Sequence, residues 1–313
     1  MMSTSTTSSA ITNLPRFGHT LTLAERKTPH NGAFTLKGWV SMDQGQLAAA
    51  RQGLIDDGYC LIDDAMAHAD IERLRRWSDD WLARTEHPKQ WKYQGSDVKI
   101  SGVRAHRAKR FHHFPTDSTV DFLIEQPAAL LEALGFGEFR SIGHFQIISK
   151  PSGGPPLYWH QDWMRWDDPM SLSPWPQVVF LNWYLTETHV ANGCLRVIPG
   201  SHRHRMDLHG HLVPPHESGG YEVEETNEWM FHDHPDAVDV PVRPGQLMIG
   251  DARLLHGTHA NTTGERRTVL LGWFNRSSIE VPDGWDDKVP REILERDPAS
   301  KFPANRVPGE YLR

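Results

Sequence analysis

The chain has 313 residues, with 33 Lys and Arg against 40 Asp and Glu, a net charge of −7. A hydrophobic content of 38% is enough for a sizeable core and excludes wholesale disorder. The acidic balance argues against nucleic acid as a partner, and no apolar run approaches the ~18–20 residues of a membrane span. Two cysteines, Cys60 and Cys194, exclude a disulfide scaffold and any Cys-rich zinc or iron–sulfur site, so a bound metal is expected to draw on His and carboxylate.

Residues 1–40 open with a Ser/Thr-rich stretch that has neither the apolar core of a secretion signal nor the Arg of a transit peptide. They are expected to form a disordered or extended tail, and the default compartment is the cytoplasm. Residues 41–313 are expected to form a single domain. Gln46–Ile55 and Ala69–Leu82 carry apolar residues at helical spacing, with Ile71, Leu74, Trp77 and Trp81 on one face of the second. Between them, Asp57-Gly58-Tyr59-Cys60-Leu61-Ile62-Asp63-Asp64 is a short apolar run bounded by turn residues, which predicts a strand. Lys99–His113 is locally basic and includes Arg104 and Arg107; it reads either as a seat for an anionic group or as a solvated loop face.

From Ser141 onward the chain breaks into short apolar or β-branched runs punctuated by Gly, Pro, Asn and Asp. They are Ser141–Lys150, Gln177–Leu185, Cys194–Ile198, Val238–Val242, Gln246–Ile249 and Thr268–Phe274. This pattern predicts a mainly β sandwich or barrel with a core over 141–276. The polar, His-rich segment 201–236 interrupts it and is expected to be an insertion or lid. The segment 290–313 holds one short helical stretch near Arg291–Arg296 and leaves open a lid or a homodimer contact.

A facial metal site built from two His and one carboxylate leaves three coordination positions open for oxygen chemistry. Its usual form is His-x-Asp on one strand end, whose i and i+2 side chains share a face, plus a distant His. The triplet occurs three times here, at His68/Asp70, His160/Asp162 and His234/Asp236, so it cannot decide alone. His68 lies between a strand and a helix, where Asp70 suits a helix start, and Pro235 favours a turn in the third. His160 follows Pro155-Pro156-Leu157-Tyr158-Trp159 at the edge of the strand-rich half, which favours this triplet. Three His-x-His pairs, His202/His204, His209/His211 and His232/His234, leave open a zinc-type site in the insertion.

The run Asn192-Gly193-Cys194-Leu195-Arg196-Val197-Ile198-Pro199-Gly200-Ser201-His202 closely resembles the phytanoyl-CoA dioxygenase family of iron(II)- and 2-oxoglutarate-dependent oxygenases. Further segments match in order: Lys150-Pro151, Trp159-His160-Gln161-Asp162, Pro244-Gly245-Gln246, and Asp251-Ala252-Arg253-Leu254-Leu255-His256-Gly257, followed by Asn261 and Arg266-Arg267. Asp57-Gly58-Tyr59 is a further match in the N-terminal half.

The resemblance implies a double-stranded β-helix, or jelly roll, with flanking N-terminal helices, and Fe(II) held by His160, Asp162 and His256. His259 is the rival for the distal position. The cosubstrates would be 2-oxoglutarate and O2. The far carboxylate of 2-oxoglutarate needs a fixed cation, which Arg supplies in bidentate geometry. Arg266 is the expected anchor, with Arg267 on the opposite face, and Thr258, Trp183, Gln146 and Gln161 are expected near the cosubstrate. Retention of Asp162, which related halogenases replace by a small residue, implies hydroxylation or a related oxidation with release of succinate and CO2. Trp159, Trp163, Arg104 and Arg107 are candidates for the pocket of a small-molecule substrate, expected to be a natural product or other secondary metabolite. Two alternatives stand beside this reading: an acyl-CoA hydroxylase of the same family, and a non-catalytic cupin-like binding protein.

Overall fold

The computed structural model describes residues 34–35, 41–84, 91–93, 96–106, 108, 114–212, 228–285, 287–308 and 312. Residues 1–33, 36–40, 213–227 and Arg107 therefore lie outside the described residues, and with them most of the expected tail and the middle of the insertion. Strand β1 (Phe34–Thr35) pairs with β2 (Ser41–Met42), so the described end of the tail forms a small antiparallel pair.

Helix α1 (Gln44–Asp56) starts where sequence chemistry allows it: Asp43 accepts from the Gln46 N–H while Gln46 reaches back to the Asp43 N–H. It buries Leu47, Ala50 and Leu54 and stops before Gly58, whose φ of +83° turns the chain into β3 (Tyr59–Ile62). Helix α2 (His68–Arg84) buries the apolar face read from its spacing, with Ile71, Leu74, Trp81 and Leu82 turned inward. Asp70 sits in its first turn, paired with Arg73 at 2.9 Å. Two strands, β4 (Trp91–Tyr93) and β5 (Ser96–Arg104), then precede α3 (Phe122–Ala133). The basic stretch is thus partly a sheet strand rather than a loop.

The remaining strands are β6 (Phe139–Lys150), β7 (Leu157–His160), β8 (Val178–Tyr184) and β9 (Leu195–Val197). After the short helix α4 (Glu228–Phe231) come β10 (Val238–Val240), β11 (Leu247–Asp251), β12 (His256–Thr258) and β13 (Arg267–Arg276), and α5 (Arg291–Leu294) follows. Seven strands form one antiparallel sheet in the order β3-β11-β8-β13-β6-β5-β4, and four form a second in the order β10-β9-β12-β7. This is the jelly-roll architecture, and β3, β4 and β5 extend its larger sheet beyond the 141–276 segment.

Alternation along the large sheet divides its two faces. Phe145, Ile147, Leu181, Trp183, Leu270 and Phe274 share one core cluster with Leu54 and Leu74 of the N-terminal helices and Leu130 of α3. Phe180, Tyr184, Met248 and Val269 point the other way and meet Leu195 and Val197 of the small sheet. A cavity lies between the sheets, on this second face.

Candidate metal centre

His160 ends β7 and His256 begins β12, and the two residues are direct partners in the antiparallel register. Their rings lie 4.1 Å apart between centroids. His160 Nδ1 donates to the Tyr158 carbonyl at 3.0 Å and His256 Nδ1 to the Leu254 carbonyl at 2.9 Å. Those bonds fix both imidazoles in the tautomer whose Nε2 is a lone-pair donor, the usual preparation of a metal-binding His. Phe180 stacks on His256 with centroids 4.6 Å apart and holds that ring from the large sheet.

Asp162 lies just beyond β7, where its backbone N–H donates to Ala252 O at 2.8 Å. Its Oδ1 is 3.9 Å from His160 Nε2, while Oδ2 accepts from the Trp273 indole at 2.8 Å. Ligand atoms of His160, Asp162 and His256 all fall within 4.8 Å of one another, and the three side chains are nearly buried. Two imidazole nitrogens and one carboxylate on one side of a point can hold a single first-row divalent ion with further positions open. The segment leading to His256 is itself fixed by a buried Asp251–Arg253 pair at 2.6 Å. Arg253 also donates to the carbonyls of Ser171, Ser173 and Trp175, so this buried charge is both paired and hydrogen-bonded.

The cavity extends from the triad along one face of each neighbouring strand. Gln146, Ile148 and Lys150 of β6, Phe180, Asn182 and Tyr184 of β8, and Arg267, Val269, Leu271 and Trp273 of β13 all line it, as period-2 alternation requires. At the end away from Trp273, Lys150 and Arg267 are directly opposed in the β6–β13 register. Lys150 Nζ donates to Thr258 Oγ1 and to the His259 carbonyl, both at 2.6 Å. Arg267 donates to the Gly193 carbonyl at 2.8 Å, while its buried Nε has no partner among the described residues. Neither cation has a carboxylate partner among the described residues. Burial, then the neighbouring Arg267 and Arg196, hold the Lys150 ammonium well below the usual lysine range; burial also lowers Arg267. Like charges opposed across a strand pair destabilise it, so this end of the cavity suits an anion.

Several sequence expectations change here. Arg266 is exposed, and its guanidinium donates to Ser149 O (3.1 Å) and Ser149 Oγ (3.2 Å) outside the cavity; Arg267 lines it instead. The strand begins with Arg267, and a slip of one residue exchanges the faces. Trp183 falls on the wrong phase for the same reason and packs beside Phe145 under the helices, leaving Asn182 and Tyr184 on the cavity side. Gln161, between the two ligands, faces away from the cavity and donates to Arg253 O.

Trp159 donates to His232 O at 2.9 Å beneath the Arg196 guanidinium, and Trp163 to Ser171 Oγ at 2.9 Å, so both are packing residues. Arg104 donates to Ala108 O and Thr116 Oγ1 rather than lining the cavity, and Arg107 lies outside the described residues. Gln146 and Thr258 do line it. Lys150, Asn182, Tyr184 and Trp273 were not picked out as lining residues by sequence reading. The available signal was phase: Lys150 and Trp273 alternate in step with Gln146 and Arg267.

Three histidines of the insertion make contacts within the fold. His202 Nε2 donates to Ile55 O at 3.1 Å, His209 Nδ1 accepts from the Met206 N–H at 3.0 Å, and His211 stacks on Trp229. Burial holds both His202 and His209 down to about 4. Among the described residues, none of the three His-x-His pairs joins a group of metal donors.

The chain is similar to several known proteins. The ectoine dioxygenase of Sphingopyxis alaskensis is 24% identical over 267 residues, covering 80% of this chain and 84% of its own. The structure of the epimerase SnoN, solved with Fe3+, alpha ketoglutarate and nogalamycin RO, is 18% identical with a TM-score of 0.54, over 86% of this chain and 98% of that one. The structure of EctD from S. alaskensis with bound Fe is 22% identical with a TM-score of 0.52, over 83% and 88% of the two chains. The sequence pattern of the phytanoyl-CoA dioxygenase (PhyH) family matches residues 55–269, more than half of the chain. The chain belongs to the phytanoyl-CoA dioxygenase family, and with it to the iron(II)- and 2-oxoglutarate-dependent oxygenases.

Proposed function

We propose that this protein oxidises a C–H bond of a small, largely apolar organic molecule, a natural product or other secondary metabolite. In this reading His160, Asp162 and His256 hold Fe(II), and Arg267, Lys150 and Thr258 hold the far carboxylate of 2-oxoglutarate. The observation that carries the reading is the pairing, in one cavity, of the triad with two opposed cations that have no carboxylate partner among the described residues. When bound, iron supplies the redox chemistry that converts 2-oxoglutarate and O2 to succinate and CO2 while the substrate is oxidised.

The chain's own residues orient and exclude. Arg267 offers a planar fork for a carboxylate and Lys150 a point charge beside it, so a dicarboxylate is gripped by the end remote from the metal donors. Thr258 Oγ1, already a partner of Lys150, stands two residues from His256 and ties the anion end to the metal end. Trp273 holds Asp162 by one oxygen, which fixes the carboxylate's rotation. Pro155, Pro156 and Leu157 with Leu195, Val269 and Leu271 give the cavity apolar walls that keep it poor in water and suit an apolar substrate face.

The test is succinate release from 2-oxoglutarate with Fe(II) and O2 across a panel of small natural products and acyl-CoA esters. Substrate-coupled turnover that is lost on chelation, in His160→Ala and in His256→Ala is the expected result. Turnover indifferent to all three would refute the reading, and coupling to acyl-CoA esters alone would move the substrate class.

A further inference from the structure

His259, the sequence-level rival of His256, has a setting of its own. His256 and Thr258 line the cavity, whereas His259, one residue past β12, does not. Its Nε2 lies 2.5 Å from Asp239 Oδ1 on β10. The ligand atoms of His259 and Asp239 and the sulfur of Cys194 all fall within 4.8 Å of one another.

The three residues come from separate segments that the small sheet brings together. Strand β9 pairs with β10 on one side and β12 on the other, and Cys194 stands at its head. The His259 N–H donates to the Cys194 carbonyl at 3.1 Å, continuing the ladder past β12. Gly193, with φ +87°, makes the approach possible: a Cβ there would fall 2.8 Å from His259 O. Exposure is graded outward, from a buried Cys194 through His259 at 24% to Asp239 at 44%. An ion can therefore enter from solvent, with sulfur as its innermost donor.

We propose that Cys194, Asp239 and His259 form a second metal site, for zinc or a similar thiophilic divalent ion, separate from the His160–Asp162–His256 triad. Around a tetrahedral zinc, sulfur at about 2.3 Å and nitrogen or oxygen at about 2.0 Å stand roughly 3.3–3.5 Å apart, so the His259–Asp239 pair opens slightly and a modest rotation of side chains fits the trio to an ion. Thiolate, imidazole and carboxylate together carry a charge of about −2, which a divalent ion neutralises, and a thiolate selects softer ions than the oxygen and nitrogen donors of the triad. Without an ion the Cys194 thiol keeps its proton, since burial and then Asp239 push it up to about 11. On binding, the metal–sulfur bond replaces the S–H bond and the proton leaves to solvent; no electron is transferred. Arg267 and Lys150 also face this thiol and favour its ionised form. The inference does not depend on the oxygenase reading, because the two sites share no donor.

Cobalt(II) distinguishes the sites, since only a sulfur ligand produces a thiolate-to-cobalt charge-transfer band in the near ultraviolet. Metal-free, reduced protein titrated with Co2+ is expected to take up two equivalents, one of them carrying that band, and added Zn2+ is expected to bleach it. His256→Ala should lose the equivalent without the band and keep the band. Cys194→Ser, His259→Ala and Asp239→Ala should lose or weaken the band tenfold or more in affinity while retaining the other equivalent, which also reports that each variant is folded. No band in the unmodified protein overturns the proposal. So does a band that persists in Cys194→Ser, which would assign the sulfur to Cys60, or one unmoved by both His259→Ala and Asp239→Ala.

Discussion

Replacing Arg267 by Met removes the guanidinium from the anion end of the cavity while keeping a long apolar stem against Tyr184, over whose ring the guanidinium sits at 5.7 Å. Hydrogen bonds to a charged partner are worth about 1.5–3 kcal/mol each, and truncating one side of a buried charge pair costs about 2–5 kcal/mol. Lys150 stays in place directly across the strand pair and keeps part of the attraction, so the lower half of that range applies. At 1.4 kcal/mol per tenfold, affinity for 2-oxoglutarate should fall roughly 30- to 300-fold. Arg266→Met provides the comparison: the residue is exposed and, among the described residues, its guanidinium bonds only to Ser149, so an effect under about 2-fold is expected, in line with surface substitutions of about 0.5 kcal/mol. The assay is anaerobic titration of the iron-loaded protein with 2-oxoglutarate, with pyruvate, which lacks the far carboxylate, as a control ligand. Arg267→Met should bring 2-oxoglutarate down towards pyruvate. A larger loss in Arg266→Met than in Arg267→Met would refute the assignment of faces and with it the anion site.

Trp273→Phe removes the hydrogen bond to Asp162 Oδ2 but keeps an aromatic wall, so metal affinity should fall about 10- to 100-fold in a Co2+ titration; unchanged affinity would show that Trp273 only packs. Trp183→Ala should cost about 3–5 kcal/mol in urea unfolding with little change in affinity for 2-oxoglutarate, because the indole lies in the outer core; the opposite pattern would return it to the cosubstrate. His202, buried and held down to about 4, resists protonation that the unfolded chain accepts below about 6.5. The stability it contributes is therefore present above pH 6.5 and is lost as pH falls from 6.5 towards 4, by at most about 3 kcal/mol. Urea unfolding at pH 7.5 and 5 should show a smaller acid loss in His202→Gln than in the parent, and equal losses would refute it.

The fold was legible where apolar runs were long enough to stand out. Apolar or β-branched runs bounded by turn residues marked β3, β6, β8, β11 and β13, and the 3.6-residue spacing marked α1 and α2. Strands β7 and β12, which carry both metal-site histidines, are too short for any period to show; only the aromatic run before His160 and the Leu-Leu-His-Gly pattern gave them away. Strand β5 was hidden because its charge drew the reading towards a loop. The differences between the expected residues and those lining the cavity share one cause, since Arg266 for Arg267 and Trp183 for its neighbours are both slips of one residue. Neither loop length nor composition fixes the phase of a strand entering a sheet, but its buried partners do: Val269 and Leu271 must face the cavity, so Arg267 must as well. The same alternation separates His256 from His259, which sequence proximity could not.

Placing Lys150 opposite Arg267 in the interior is expensive, and neither residue relieves the other. Burial lowers both groups' tendency to hold a proton, and Arg267 and Arg196 add to the pressure on Lys150. Hydrogen bonds from Lys150 to Thr258 and His259 O offset part of that cost through groups already fixed by β12. The remainder is a standing electrostatic demand for an anion, set in place before any ligand arrives. In the proposed function, a dicarboxylate bound there would meet that demand with donors already held by the two strands. Holding two cations together with no carboxylate partner among the described residues therefore costs stability, which the proposed ligand would restore. That is why the opposed pair weighs more in the functional reading than any single residue of the cavity wall: packing alone would select against it.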